Sequence, residues 1–504
     1  MTNNKFSSIF FGLIFFVFSM GVSAQIPDNL DDIIEKVRQD FGVAGLSVAI
    51  VKDNKVVYAK GFGFRELGKT AKVDENTLFA IGSNSKAFTS ASIGMLVDDG
   101  KISWDDKVTK HLPWFELNDP YVTREITVRD ILSHRSGLGR RGDGNWYATD
   151  FSREEIVRRI RHLTPHSSFR SQMGYQNTMY IAAGLVAEAA SGMSWDDLIK
   201  TRIFNPLGMT HSNTTILDLP KDNNVSMPHQ AFDGVVKVIP YRNIDAAGPA
   251  GSINSSAFEM THWMRMVLNE GMFEGKQLVS KAVINEVQTP QISIPVSAVA
   301  ELMPSTHFLA YGLGWVLQDY KGEKLAWHTG GIDGMLSQIT IVPGQELGII
   351  VLTNTSINGT FGAITNTILD AYLGEATQDW PALYLDFKAK GEVAAAAQNK
   401  ARIEARVEGT SPSLQLADYV GSYENEMYGT ATISLEGGKL ILRRHNAFVG
   451  EMKHWNFDTF YAHWGDVSLN DGVGSEVGFN LDGNGKVKSI DFNFGEVITF
   501  SKTD

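Results

Sequence analysis

"IGSNSKAFTS", residues 81–90, sets Ser83 three positions ahead of Lys86 at the start of an apolar run. On a helix those two side chains share a face, close enough for the amine to meet the hydroxyl. A serine is a weak nucleophile until a neighbouring base takes its proton, and a lysine becomes such a base when burial disfavours its charged form. The apolar positions Phe88, Ile93, Leu96 and Val97 predict a buried helix ending near Gly100, which meets that requirement. In isolation the pair also fits a helix cap beside a surface charge, because serine caps helices routinely. It is, however, the only Ser-x-x-Lys string in the chain.

Working outward, residues 31–41 have helical spacing, and "LSVAIVKDNKVVYAKGFG" predicts two strands joined at Asp53-Asn54, a pair that tolerates positive φ. From about His111 to Leu219 the pattern is mostly helical; one helix opens at Ser194 and is predicted to break near Asn205-Pro206. After Gly312, "LGWVLQ", "LSQITIVP" and "LGIIVLTN" are β-branched strands bounded by glycines, and a last helix spans residues 363–373. Strands at both ends with helices between them imply one mixed α/β domain, whose sheet is assembled from distant segments. An alanine-rich helical connector follows. Beyond it, alternating polar and apolar runs with turns at Gly437-Gly438 and Asn484-Gly485 predict a separate small all-β domain.

The chain has 504 residues, too many for one compact core, so two or more domains are expected. A formal net charge of −12 offers nothing to a phosphate backbone, which excludes nucleic acid as an expected partner. There is no cysteine, hence no thiol nucleophile, disulfide or cysteine zinc site. The opening "MTNNKFSSIFFGLIFFVFSMGVSAQ" has the layout of a secretory leader, with one early lysine, an apolar run and small residues before a cleavage point after Ala24. That predicts a secreted or periplasmic protein with no stable membrane span once residues 1–24 are removed.

Two further elements follow the Ser83 stretch in order: "GYQNTMYIAAGLVAEAASG", with Tyr175 and Asn177, and "WHTGGIDGM", with His328, Thr329, Gly330 and Gly331. Carrying "SNSK", "YQN" and "HTG" in this order, the chain resembles the serine β-lactamase and D-alanyl-D-alanine peptidase superfamily, in its class C-like branch. Phrases such as "ITVRDILSHRSGL", "IFNPLGM", "AGPAGSINSS" and "YGLGW" extend the likeness over roughly residues 27–373. "YRN" at Tyr241 and "YEN" at Tyr423 match the second motif too. Only Tyr175 leads directly into an apolar helix, so the other two are assigned structural roles.

The resemblance implies a β-lactamase/transpeptidase-like serine hydrolase domain of mixed α/β (α+β) class over 27–375, with a central antiparallel sheet and a helical subdomain, a helical connector over 376–410, and a lipocalin-like, barrel-like β domain over 411–504. It implies that Ser83 becomes acylated while Lys86 and Tyr175 share the proton work. Asn177 would orient the substrate amide, and the backbone N–H groups of Ser83 and Gly331 would face the oxyanion. His328, Thr329, Gly330 and Gly331 would line the substrate strand. His328 stands where most β-lactamases have lysine, and an imidazole changes charge near neutral pH, so it is expected to contact a substrate carboxylate.

The implied enzyme is an exported serine hydrolase without metal or cofactor, acting on D-amino-acid peptides of DD-carboxypeptidase type or on β-lactams. An esterase or D-aminopeptidase uses the same constellation, and a non-catalytic penicillin- or cell-wall-binding sensor is the alternative of another class. Other patterns weigh little. His162 and His166 have ligand-like spacing interrupted by Pro165, His134 is assigned a structural role, and Gly61 and Gly63 lack the helix of a dinucleotide site.

Overall fold

The computed structural model of the chain describes residues 26–232, 234–299, 301–374, 378–469, 475–493 and 496–503. The leader predicted over 1–24 lies outside them. Helix α1 (Leu30–Phe41) buries Leu30, Ile34, Val37 and Phe41, the spacing of one helical face. It stops at Gly42, which is in the left-handed region with φ 75°. Full burial of such side chains contributes about 1.5–3 kcal/mol each.

Strands β1 (Gly45–Lys52) and β2 (Lys55–Gly63) form the predicted hairpin. Asp53 and Asn54 both have positive φ, 50° and 58°. A two-residue hairpin turn of type I′ requires this of both its residues. The sheet is completed by β3 (Ile292–Ser293), β4 (Leu309–Tyr311), β5 (Val316–Tyr320), β6 (Glu323–Ile332), β7 (Met335–Val342) and β8 (Leu347–Thr353). Among the described residues the order is β2-β1-β8-β7-β6-β5-β4-β3, with neighbouring strands antiparallel. Sheet and helices together make the mixed domain anticipated from the sequence.

One sheet face packs on α1 and on α4 (Thr360–Leu373); the other packs on the helical region containing α2 (Ser85–Asp98) and α3 (Asn177–Ser191). Helix α2 is buried on nearly every side, and Phe88 stacks on Trp263 at 3.9 Å. This sets the helix that follows Ser83 inside the helical region, against α3.

The run predicted to break near Asn205-Pro206 ends at Leu207, one residue beyond. Ser194 caps the run as expected, but it continues through a wide turn at Lys200–Phe204 to Leu207 and stops at Gly208 (φ 69°). The wide turn shifts the hydrogen-bond register ahead of Pro206, whose missing N–H then interrupts only the last turn.

A 25-residue helix, α5 (Trp380–Glu404), leads to the C-terminal unit and is anchored by Trp380, whose indole N–H donates to Asp370 at 2.7 Å. The unit is a closed eight-stranded barrel running from Gly421–Asn425 to Val497–Thr503, with its last strand paired to its first. Aromatic rings fill its interior, among them Tyr419 against Phe479 at 4.7 Å. The barrel packs on residues 142–150 of the larger domain. Arg444 donates to the Gly144 carbonyl at 2.7 Å, and Asn446 donates twice to Asp150 at 3.0 Å.

Candidate active site

Ser83 sits in a one-turn 3-10 segment (Gly82–Asn84) that runs straight into α2. Gly82 is left-handed (φ 53°), and a Cβ there would lie 2.5 Å from the Gly331 nitrogen, so only glycine lets the turn meet β6 this closely. Gly330 is equally constrained: its Cβ would come within 1.8 Å of the Ile81 carbonyl oxygen. Asn84 donates to Ser337 Oγ at 2.7 Å, and Ser337 donates to the Ile81 carbonyl at 2.8 Å, tying the turn to β7. Ser85 Oγ is occupied with the Gly82 carbonyl and the Ile253 N–H, a structural role that leaves Ser83 as the open serine of the stretch.

Lys86 is fully buried, and its Nζ has three neighbours: Asn177 Oδ1 at 2.8 Å, the Ala250 carbonyl at 2.8 Å and Ser83 Oγ at 3.0 Å. Burial holds its pKa well below the usual lysine value; Asp143 partly offsets this and Arg140 adds to it. A neutral amine has two N–H bonds. Asn177 and Ala250 offer acceptors that cannot donate back, so those two hydrogens go to them and the lone pair is left toward the Ser83 hydroxyl.

Tyr175 donates to Ser83 Oγ at 2.7 Å, and burial pushes its phenol up, keeping it protonated. The two groups thus have separate starting states. Lys86 is ready to accept a proton and Tyr175 to give one.

Asn177 is brought to the same place, but its amide is committed to Lys86 on one side and to Asp143 at 3.3 Å on the other. Its first task here is holding Lys86, where the resemblance had implied orienting a substrate amide. Asp143 was not singled out in the sequence. It is buried, its carboxyl is raised by that burial, and the Trp146 indole donates to it at 2.7 Å.

The third motif departs most from expectation. Gly330 and Gly331 lie against the Ser83 turn as anticipated, but His328 is only 4% exposed and both ring nitrogens are engaged. Nδ1 donates to the Thr329 carbonyl at 2.6 Å, which leaves Nε2 to accept from the Tyr311 hydroxyl at 3.1 Å. Burial first, then the charged form of Lys86, bring its pKa down to about 3. The ring is therefore neutral at neutral pH and turned inward, unlike the titrating carboxylate contact expected of it.

Thr329 is also corrected. Strand alternation puts it on the opposite face of β6 from His328, beside Trp327 and its cross-strand partner Gln338. There it lines an apolar cleft of ≈ 230 Å³ with Leu302, Met303 and Tyr384, away from Ser83.

His134, given a structural role from sequence, packs its ring on Tyr175 at 4.3 Å and accepts from the Gln176 N–H at 3.1 Å. Tyr241 donates to the Ser226 carbonyl and Tyr423 to the Tyr419 carbonyl, so neither reaches the site. His162 is turned to Glu426 of the barrel at 2.9 Å, and among the described residues no cluster of ligating side chains suits a metal ion. Asp143 lies outside every quoted phrase, while Gln176 and Tyr311 lie inside "YQN" and "YGLGW" without a role the sequence assigns; only folding shows that Gln176 holds Gly139 and Arg141 and that Tyr311 meets His328.

Residues 30–373 match the family model described as Beta-lactamase, and residues 405–502 match one described as a domain of unknown function, DUF3471. The unguisins hydrolase ungD of Aspergillus violaceofuscus is 28% identical over 437 residues, covering 80% of this chain and 76% of that protein. Protein flp of Staphylococcus aureus is 29% identical over 334 residues, covering 65% and 62%. Among solved structures, the octameric penicillin-binding protein homologue from Pyrococcus abyssi has the same fold over 94% of this chain and 99% of its own, with a TM-score of 0.62 at 23% identity. SurE follows with a TM-score of 0.58 at 18% identity, over 94% and 98%. The Ser83 turn, the buried Lys86 and the glycines of β6 thus sit in a domain matched almost end to end, and the chain belongs to the beta-lactamase family of serine hydrolases.

Proposed function

We propose that this serine hydrolase is exported and cleaves D-amino-acid peptides, or β-lactams that mimic them, through an acyl-enzyme at Ser83. The observation that carries it is Lys86, buried, with its Nζ 3.0 Å from Ser83 Oγ. In the acylation step the Ser83 proton passes to Lys86 Nζ while Oγ bonds to the substrate carbonyl carbon. The carbonyl oxygen becomes an oxyanion facing the backbone N–H groups of Ser83 and Gly331. As the tetrahedral adduct collapses, the bond to the leaving group breaks, and that group takes a proton relayed through Tyr175. Water then adds to the ester carbonyl, loses a proton to the same pair and releases Ser83.

A homologue is named as a hydrolase of unguisins, and SurE, a protein of the same fold, has been solved with D-Leu at a TM-score of 0.53, which supports a substrate carrying a D-amino acid. A second reading, an esterase or D-aminopeptidase, is favoured by His328, since a neutral buried ring supplies no cation for a substrate carboxylate. Intact-protein mass spectrometry with a penicillin, a D-Ala-D-Ala peptide, a D-amino-acid amide and a short-chain ester separates these. The expected result is an adduct on Ser83, absent in Ser83→Ala, with turnover of the peptide. Turnover of ester or amide alone selects the second reading, and an adduct that survives in Ser83→Ala overturns both.

A further inference from the structure

His328 presents no cation to the site, yet the exposed guanidinium of Arg140 stands beside Tyr175. Arg140 Cζ lies 5.0 Å from the centroid of the Tyr175 ring, whose hydroxyl touches Ser83 Oγ. Arg140 and Ser83 thus both meet the same tyrosine, one at its ring and one at its hydroxyl. Among the described residues it makes no ion pair, whereas its neighbour Arg141 is paired with Glu496 at 3.4 Å. A guanidinium held over a ring face keeps its outer N–H edge for a ligand, and the planar fork suits a carboxylate.

The backbone around Arg140 is fixed by the middle residue of the second motif. Gln176, fully buried, donates from Nε2 to the carbonyls of both Gly139 and Arg141 at 3.0 Å, clamping the peptide on either side of Arg140. Gly139 is left-handed (φ 67°), and a Cβ on Gly174 would lie 2.9 Å from its Cα, so the two loops close on each other. The position is thus pre-organised by the segment that supplies Tyr175 and Asn177, and less ordering is needed on binding. Arg140 borders a cleft of ≈ 590 Å³ with His166, Tyr175, Ser293, Ile294 and Pro295, a volume in the range of small-ligand sites.

We infer that Arg140 is the substrate-carboxylate reader of this enzyme, selecting acyl donors that carry a free carboxylate beside the scissile bond. This rests on acylation at Ser83 and deepens it. It moves the charge contact from the strand of the third motif to the loop that Gln176 holds. Arg242, the other cation near the end of β6, is tied to Asp333 and Asp466 and is not available for the task.

The test compares a D-Ala-D-Ala peptide with its C-terminal amide in the full chain, in Arg140→Gln and in Arg140→Lys. The readout is the acid-to-amide ratio of kcat/KM, or of inhibition of ester turnover if the peptide binds without being cleaved. The expected result is a fall in that ratio of about 10- to 100-fold in Arg140→Gln, carried mostly by KM, with partial recovery in Arg140→Lys. An unchanged ratio overturns the assignment. So does an equal loss on acid and amide, which would mean that Arg140 acts only through Tyr175. A wild-type adduct on Ser83 in the same experiment keeps the hydrolase intact while Arg140 fails; no adduct from any acyl donor removes both.

Discussion

The Tyr311 hydroxyl stands 3.1 Å from His328 Nε2, which turns the first residue of the third motif into the protein and fixes it as a neutral acceptor. The unfolded ring takes a proton below about pH 6.5, the folded ring only near 3, so acid favours the unfolded state. The His328 contribution to stability is therefore complete above about pH 6.5 and is lost as the pH falls toward 3. Urea denaturation at pH 7 and pH 5 should show a smaller pH-dependent loss in His328→Gln than in wild type. Equal losses would mean that the ring is protonated in the fold.

The same contact makes a kinetic prediction. Activity on an acid relative to its amide should stay flat between pH 6 and 8, because neither the neutral His328 nor an arginine titrates there. An inflection near neutrality in that ratio would restore His328 as a substrate contact.

Asp143 faces Lys86 across Asn177 and raises the pKa of the amine. Asp143→Asn removes that charge while keeping a polar group of the same shape. The acid limb of the acylation rate should then move to lower pH, because Lys86 loses its proton more readily. A shift to higher pH, or none, would mean that the carboxyl does not act on Lys86.

The two glycines after Thr329 should respond differently. Alanine at Gly330 meets the Ile81 carbonyl and must displace the Ser83 turn, costing about 1–3 kcal/mol or more. At Gly331 the added carbon meets only a Leu336 methyl, at 3.2 Å. The cost there should be under about 1 kcal/mol. Chemical denaturation of the two variants gives the comparison.

The barrel reaches the site through residues 142–150. Arg444→Met leaves the Gly144 carbonyl without its donor, beside Asp143. A loss of about 1–3 kcal/mol in stability is expected, with slower acylation as Asp143 shifts. Unaltered acylation would show that the barrel does not support the catalytic face.

Much of this was legible in the sequence because it is local. The β1–β2 turn, the apolar face of α1, the Ser83–Lys86 spacing and the motif containing Tyr175 and Asn177 each lie within a few residues. What was not legible depends on which distant side chain arrives. His328 reads as a titrating ring until Tyr311, seventeen residues earlier, is placed on it. Thr329 reads as a site residue because a motif ignores strand alternation, which sends adjacent side chains to opposite faces. Asp143 and Arg140 sit in a glycine-rich loop with no periodicity, and only the Gln176 clamp and the barrel give that loop its shape.

Acylation depends on buried Lys86, neutral in the resting enzyme, taking the Ser83 proton. Single-turnover acylation by an uncharged ester in Lys86→Met, against wild type, tests it most directly. The predicted result is a fall in the acylation rate of about 10²- to 10⁴-fold with ester affinity little changed. Acylation at the wild-type rate would contradict it.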